Sequence, residues 1–345
     1  MRVLIVNAGS SSLKLRLLAD DDAVLGTEDL GPADQLAPGE LGRAIEKLAG
    51  FEAVGHRIVH GGDRYREPVL VDGAVRAELD ALTELAPLHQ PQSLAALDAV
   101  TAAAPGVPAV ACFDTAFHAT LPPEAATYAV PADWRDRLGV RRYGFHGLSH
   151  AYAARLAAEH GHRRVVTCHL GAGASLAAVR DGRCVDTTMG FTPLEGLVMA
   201  TRSGTVDPGM VLWLVTHRGL DPEAVAQSLE HESGMVALAG TDDMAAVVEG
   251  AAAGEPGAKL AFDVYVHRLR AGIAAMAASL GGLDALVFTG GVGENAPAVR
   301  EAAVAGLGFL GVGTDATAPG SIGRVLVVEA REDLEIARGV RARLR

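Results

Sequence analysis

Apolar and polar positions divide the chain into short, wholly apolar runs and longer amphipathic ones. Residues 3–6, 109–113, 165–169, 285–289 and 325–328 are short β-rich runs and predict buried strands. Between Leu13 and Leu18 the pattern alternates. Leu13, Leu15 and Leu17 point one way, Lys14 and Arg16 the other, which predicts a strand with two unlike faces. Helical spacing is clearest where Phe262, Val266, Leu269, Ile273, Met276 and Leu280 recur at three- and four-residue steps. An Ala-rich stretch from Leu94 to Ala104 predicts a second helix, stopped by Pro105-Gly106. Strands alternating with helices predict an α/β protein.

The turns carry more information. Strand 3–6 runs into Asn7-Ala8-Gly9-Ser10-Ser11-Ser12 and returns as Leu13-Lys14. Small hydroxyl and amide residues beside a strand-held lysine suit a polyanion such as phosphate. An ordinary polar hairpin has the same appearance. It is not a Walker A loop, which leads into a helix. The plan recurs at residues 164–179, where a strand enters the turn Leu170-Gly171-Ala172-Gly173-Ala174 and leaves as a strand. Asp181-Gly182 then predicts a further hairpin into residues 184–188. Two such hairpins argue for two similar domains whose loops face a shared cleft, with a boundary near residues 117–121.

Composition narrows the class. The 345 residues are 49% hydrophobic and 21% charged, a globular composition. Lys+Arg number 30 against 42 Asp+Glu, a formal net charge of −12 with no basic block, which argues against nucleic acid as a partner. No apolar stretch reaches the ~20 residues of a membrane span. No basic, then long apolar, N-terminal region marks a secretory signal. Cys112, Cys168 and Cys184 lack a metal-binding spacing and predict reduced thiols in a cytoplasmic protein.

Candidate chemistry lies near these turns. Gly290-Gly291-Val292-Gly293-Glu294-Asn295 follows strand 285–289, with Asn295 predicted to cap a helix that has Pro297 in its first turn. The spacing is not the dinucleotide pattern G-x-G-x-x-G. Arg57 lies in a β-like segment between His56 and His60. Asp114 ends a buried strand, His146 is flanked by Phe145 and Gly147, and Arg202 sits in a polar loop. Taken singly, a strand-end Asp caps a helix, a His beside Phe belongs to a core, and a loop Arg is solvated. Together they match phosphoryl transfer, which needs cationic donors around the moving group and carboxylates for a divalent metal.

In this order the segments resemble the acetokinase family of the sugar kinase/Hsp70/actin superfamily, over nearly the whole chain. Residues 7–14 match one family signature and 165–179 another. Arg57, Leu88-His89, Asp114, His146, Pro193-Leu194-Glu195-Gly196-Leu197, Arg202 and 290–295 follow in sequence. The resemblance implies an α/β fold of two similar ribonuclease H-like domains around a central cleft. These are residues 1–117, completed by a C-terminal helix at 333–345, and a nucleotide-binding domain at 118–332. It implies reversible transfer of the ATP γ-phosphoryl group to acetate, giving acetyl phosphate and ADP. It implies a cytoplasmic homodimer with Mg²⁺, which Mn²⁺ can replace, and neither nucleic acid nor membrane as partner.

The implied roles follow. Arg57, Arg202 and His146 stabilise the transferring group, with Asp114 as a further catalytic residue. Asn7, Ser10, Ser12, Lys14, His169, Gly171 and Gly173 bind phosphate. Asp242, Gly291, Val292 and Asn295 border the nucleoside. Arg57 also binds the substrate, with Val59, Leu88, Phe145 and Pro193 around its methyl group. Asn7 and Glu332 serve the metal, and Asp114 and Glu332 organise its waters.

The sequence departs from the family pattern at Ala172, where an asparagine is usual, and at Asp243 and Met244, where an aromatic and an arginine are usual. Thr205 stands for a usual Asp and Ala200 for a usual Gly. The stretches between Lys14 and Arg57 and before Glu332 are short. Alternative functions are a propionate or other short-chain acyl kinase, and a non-catalytic sensor of nucleotide or acetyl phosphate.

Overall fold

A computed structural model of the chain describes residues 1–9, 12–31, 35–37, 39–87, 90–312 and 324–345. The described residues form two compact units. One comprises Met1–Ala119, Phe145–Tyr152 and Arg331–Arg345; the other comprises Thr120–Gly144 and Ala153–Ala330. The expected boundary after residue 117 had left 145–152 and Glu332 with the second part of the chain. Both group with the first unit.

The first unit is built on strands β1 (Val3–Ala8), β2 (Leu13–Leu18), β3 (Val24–Leu30), β4 (Ala53–Ile58), β5 (Val69–Leu70) and β6 (Ala109–Phe113), in spatial order β3-β2-β1-β4-β6-β5. β1 pairs antiparallel with β2 and parallel with β4, and β4 pairs parallel with β6. Both faces of β1 are apolar because both are covered. Leu4 and Val6 pack with Ala44, Ile45, Ala96 and Val100 of two helices, Glu40–Lys47 and Gln90–Ala103. Val3 and Ile5 pack with Ile336, Ala337 and Val340 of the C-terminal helix Glu332–Leu344. Gly55 permits that approach, since a Cβ there would press on Ile336 and lie 2.7 Å from Val340 Cγ2. Lys14 is exposed between buried Leu13 and Leu15, as the alternation predicts.

The second unit repeats the plan. Its strands are β7 (Arg164–Leu170), β8 (Ala174–Arg180), β9 (Arg183–Thr187), β10 (Ala285–Thr289) and β11 (Arg324–Val327), ordered β11-β10-β7-β8-β9. Read from the other edge, β9-β8-β7-β10-β11 reproduces β3-β2-β1-β4-β6. Each is a three-strand antiparallel meander joined to two parallel strands. The Asp181-Gly182 turn takes positive φ at both residues, 51° and 77°. That is the pairing a tight hairpin needs. The long helix Pro256–Leu280 buries Val266, Leu269, Ile273, Met276 and Leu280, the positions its spacing picked out. By contrast, the apolar helix Pro208–Arg218 buries no residue, leaving Met210, Leu212 and Trp213 exposed. No helix among the described residues is long and apolar enough to cross a membrane.

Candidate active site

In the first unit, the sequence-predicted site residues collect at the carboxyl ends of the parallel strands. Asn7 lies near the end of β1, Arg57 near the end of β4, and Asp114 follows β6. This is the edge at which open α/β sheets bind ligands. The fourth member, Glu332, is the first residue of the C-terminal helix.

The four are bonded together. Arg57 donates from Nε to both Asp114 carboxylate oxygens at 3.1 Å and from Nη2 to Oδ2 at 2.7 Å. Its Nη1 donates to Asn7 Oδ1 at 3.1 Å and lies 3.7 Å from Glu332 Oε2. Asn7 Nδ2 donates to the same Glu332 oxygen at 2.7 Å. The Asp114 side chain is 2% exposed. Burial raises its pKa, and the Arg57 charge and hydrogen bonds oppose that rise. Burial likewise works against the Arg57 charge, but the carboxylates of Asp114 and Glu332 outweigh it and raise its pKa. The guanidinium is therefore held charged, with one side committed to Asp114.

His146 enters beside this group. It takes a left-handed φ of 56° just before the helix Gly147–Glu159. Gly147 follows it because its N–H donates to the Asp114 carbonyl at 2.9 Å, where a Cβ would collide. Phe145 is 1% exposed; its carbonyl is 2.8 Å from His118 Nε2, and its ring meets His60 edge-on at 5.6 Å. Val59 and Ser12 are half-buried; Gly9 N–H closes the first hairpin on the Ser12 carbonyl at 2.9 Å. Ser10 and Leu88, both expected at the site, lie outside the described residues.

In the second unit, Gly171 N–H donates to the Gly173 carbonyl at 2.9 Å, closing the tight turn after half-buried His169. Next to this turn is a cavity of about 560 Å³, and Gly171, Gly291, Val292, Asn295 and Asp242 line it. The sequence-predicted nucleoside residues are thus brought together. One local expectation is corrected. Residues Gly290–Asn295 form a short helix rather than a turn, and Asn295 ends it, with Nδ2 donating back to the Gly291 carbonyl at 2.9 Å. Ala296 precedes the next helix without a side-chain cap. Gly290, at φ 80°, starts the helix at once because only glycine fits against Leu170 there.

Arg202 and Pro193 lie on the segment after β9. Arg202 Nε pairs with Glu230 Oε2 at 2.9 Å, and both side chains are largely buried. Burial lowers the Arg202 pKa, and Glu230 partly restores it. Glu230, on the helix Pro222–His231, carried no local signal in the sequence. Neither did Glu294, whose Oε1 accepts from Gly290 N and Ala330 N at 2.9 Å each. Asp243, one of the departures, has a structural explanation: its side chain caps the helix Met244–Ala253 through Ala245 N.

Glu332 and Asp114 offer hard oxygens, and no group of three or more His, Cys, Asp or Glu among the described residues could form a full metal cage. That set fits a magnesium ion that keeps water and phosphate as most of its ligands. All three cysteines are buried and none forms a disulfide among the described residues, and burial pushes the Cys112 thiol up to about 12.

The doubled sheet and this site define a kinase of the actin-like, ribonuclease H-like type. Residues 34–337 match the model of the acetokinase family, and the chain belongs to that family. It is 42% identical over 398 residues to an acetate kinase of Trichormus variabilis, covering 98% of each chain. It is 48% identical over 315 residues to one of Gloeobacter violaceus, covering 86% of this chain and 78% of that one. A propionate kinase structure from Francisella tularensis superposes with a TM-score of 0.90 at 33% identity, covering 98% of both chains. Porphyromonas gingivalis acetate kinase gives 0.88 at 33% identity, covering 100% of both.

Proposed function

We propose that the protein transfers the γ-phosphoryl group of ATP reversibly to acetate, in the cytoplasm. A carboxylate oxygen of acetate forms the new bond to phosphorus as the bond to the ADP oxygen breaks in line. The observation that carries this reading is the bonded quartet of Asn7, Arg57, Asp114 and Glu332. An acceptor that is already a carboxylate needs no strong base; it needs orientation and positive charge around the equatorial oxygens. Arg57 and Arg202 supply charge that is fixed before substrate arrives, and His146 supplies a donor. Asp114 holds Arg57 rigid.

In this reading Val59, Leu88, Phe145 and Pro193 are the residues assigned to the methyl group of the acid. Asn7, Ser10, Ser12 and Lys14 bind phosphate from one hairpin, and His169, Gly171 and Gly173 bind it from the other. Asp242, Gly291, Val292 and Asn295 border the nucleoside. Glu332 and Asn7, with Asp114, would hold magnesium and its waters; the metal would neutralise the nucleotide phosphates. Mn²⁺ has the same donor preference.

A homodimer is part of this reading. The exposed Met210, Leu212 and Trp213 on a helix with no buried residue support it, because such a stripe seeks a partner. Propionate is the second acceptor to test, since the Francisella propionate kinase is as similar in fold as the acetate kinase compared. A sensor role, raised by Ala172 and Met244, is disfavoured by the quartet. Pure binding does not require a buried arginine clamped by a carboxylate.

Incubation with MgATP, acetate and hydroxylamine should yield acetohydroxamate. No hydroxamate from acetate, propionate or butyrate, with either ATP or GTP, would sink the kinase reading.

A further inference from the structure

Residues 188–207 link β9 to the helix Pro208–Arg218 without a helix or strand. A loop this long inside a compact unit needs other restraints. Tyr128 supplies one. Its hydroxyl accepts from Phe191 N–H at 3.0 Å and donates to Glu195 Oε2 in a short hydrogen bond. Two positions on either side of Pro193 are therefore tied to one oxygen atom. Arg142 supplies the other restraint. Its Nη2 donates to Glu195 Oε1 at 2.7 Å, and its Nη1 donates to the carbonyls of Thr188 at 3.0 Å and Met189 at 2.9 Å. Its guanidinium also lies over the Tyr128 ring, 5.5 Å from the centroid.

The loop is shaped to this group. A Cβ at Gly190 would collide with both Glu195 Oε2 and the Tyr128 hydroxyl. Leu194 N–H turns back to Thr192 Oγ1 at 3.3 Å, and Pro193 between them is buried. Burial raises the Tyr128 pKa, so the hydroxyl keeps its proton and remains a donor. Both Glu195 oxygens are engaged, and the Arg142 fork reaches three acceptors, a fixed arrangement that a single flexible ion pair lacks.

We propose that Tyr128, Glu195 and Arg142 brace Pro193 at a fixed depth and so set the length of acyl chain the enzyme accepts. The inference rests on the reading of Pro193 as a wall of the acyl pocket. The three are positioning residues, acting through the proline. A hydrophobic wall discriminates one methylene by ~10–200-fold only when it does not yield. A wall carried on a loop is as stiff as the loop's restraints. Releasing them should let propionate gain relative to acetate.

The test compares the unmodified protein with Tyr128→Phe, Glu195→Gln and Arg142→Lys, using MgATP with acetate and with propionate. Thermal unfolding and amide exchange of residues 188–197 are measured alongside. In Tyr128→Phe the propionate-to-acetate ratio of kcat/KM should rise about 5-fold or more, mainly through KM for the acids, a shift within the range one methylene commands. KM for ATP should stay unchanged and exchange of 188–197 should quicken. Glu195→Gln, which keeps an acceptor for Tyr128, should move the ratio less. If Tyr128→Phe does not fold, Arg142→Lys carries the same expectation. An unchanged ratio in a folded variant overturns the proposal. So does an equal loss of kcat for both acids with a lowered Tm, the mark of a merely structural role. Inactivity of the unmodified protein toward both acids instead overturns the acyl-transfer reading beneath it. Faster exchange in that case would show a brace with no acyl wall to serve.

Discussion

Arg57 and Asp114 meet in a bidentate ion pair at 2.7 to 3.1 Å, one near the end of β4 and the other just beyond β6. The register of β4 on β6 pairs Arg57 with Cys112, so Asp114 stands two residues further along the neighbouring strand, within the guanidinium's reach. Removing one partner of a buried pair strands the other charge. Arg57→Ala should therefore cost about 3–5 kcal/mol in urea unfolding. It should also lower kcat by ~10²–10³ where the residue faces transition-state charge. Arg202→Ala should cause a kcat loss of the same order through the same term. Near-normal kcat in either variant would remove that residue from the assigned role.

The hairpins were legible because they are local. Alternation across Leu13 to Leu18 and the echo at residues 164–179 both follow from side-chain period and turn chemistry. The quartet was legible only as a set of residue types. What joins Asn7 to Glu332 is the packing of the last helix on β1, β4 and β6, a long-range result of burying Ile336 and Val340 that no local window contains. The misreading of Asn295 has a similar origin. Gly290 starts the helix early because the close Leu170 backbone leaves room for nothing else, and that neighbour comes from another strand. Glu230 and Tyr128 were missed because each acts on a residue distant in sequence.

Gly55 links packing to the site. Gly55→Ala would drive a methyl group into Ile336 and Val340. Overpacking of this kind costs typically about 1–3 kcal/mol. The variant should unfold at lower urea, and because Glu332 begins the displaced helix, kcat should fall as well. Adding Val340→Ala should recover part of both. Recovery of neither would mean that the helix does not transmit the strain.

His56 should make stability depend on pH. It is buried in β4 with no hydrogen-bond partner among the described residues for either ring nitrogen, and burial lowers its pKa from 6.5 to about 3. Asp98 opposes that shift only in part. The unfolded chain protonates near 6.5 and the folded chain does not, so the unfolded state gains protons as pH falls. The neutral imidazole's contribution is intact above pH 6.5, shrinks between 6.5 and about 3, and changes no further below that. From pH 7.5 to 5 the loss should be about 2 kcal/mol. Urea titrations of His56→Leu should show that much less pH dependence; an undiminished slope would place the titration elsewhere.

The dimer reading predicts a charge-sensitive interface. Trp213 and Leu212 are 44% and 64% exposed on one helix. Trp213→Glu should convert a dimer to monomer in sedimentation at micromolar concentration, while the circular dichroism of the fold is retained. A protein that is monomeric before substitution would refute the assembly.

The cavity proposed for the nucleotide is lined by Met244 together with Asp242, Asp243 and Glu249, and among the described residues no cationic side chain or aromatic ring is in its walls. Met244 is 7% exposed and fills space adaptably. Apolar contact of this kind grips either purine, and a carboxylate can accept from the exocyclic amino group of adenine or of guanine. KM for GTP should therefore lie within about tenfold of KM for ATP, less than the rejection by a site built to hydrogen-bond one partner. Met244→Ala should raise both KM values together and leave KM for acetate unchanged. A strong preference for ATP, or a Met244→Ala effect confined to one nucleotide, would show that polar contacts to the base select it.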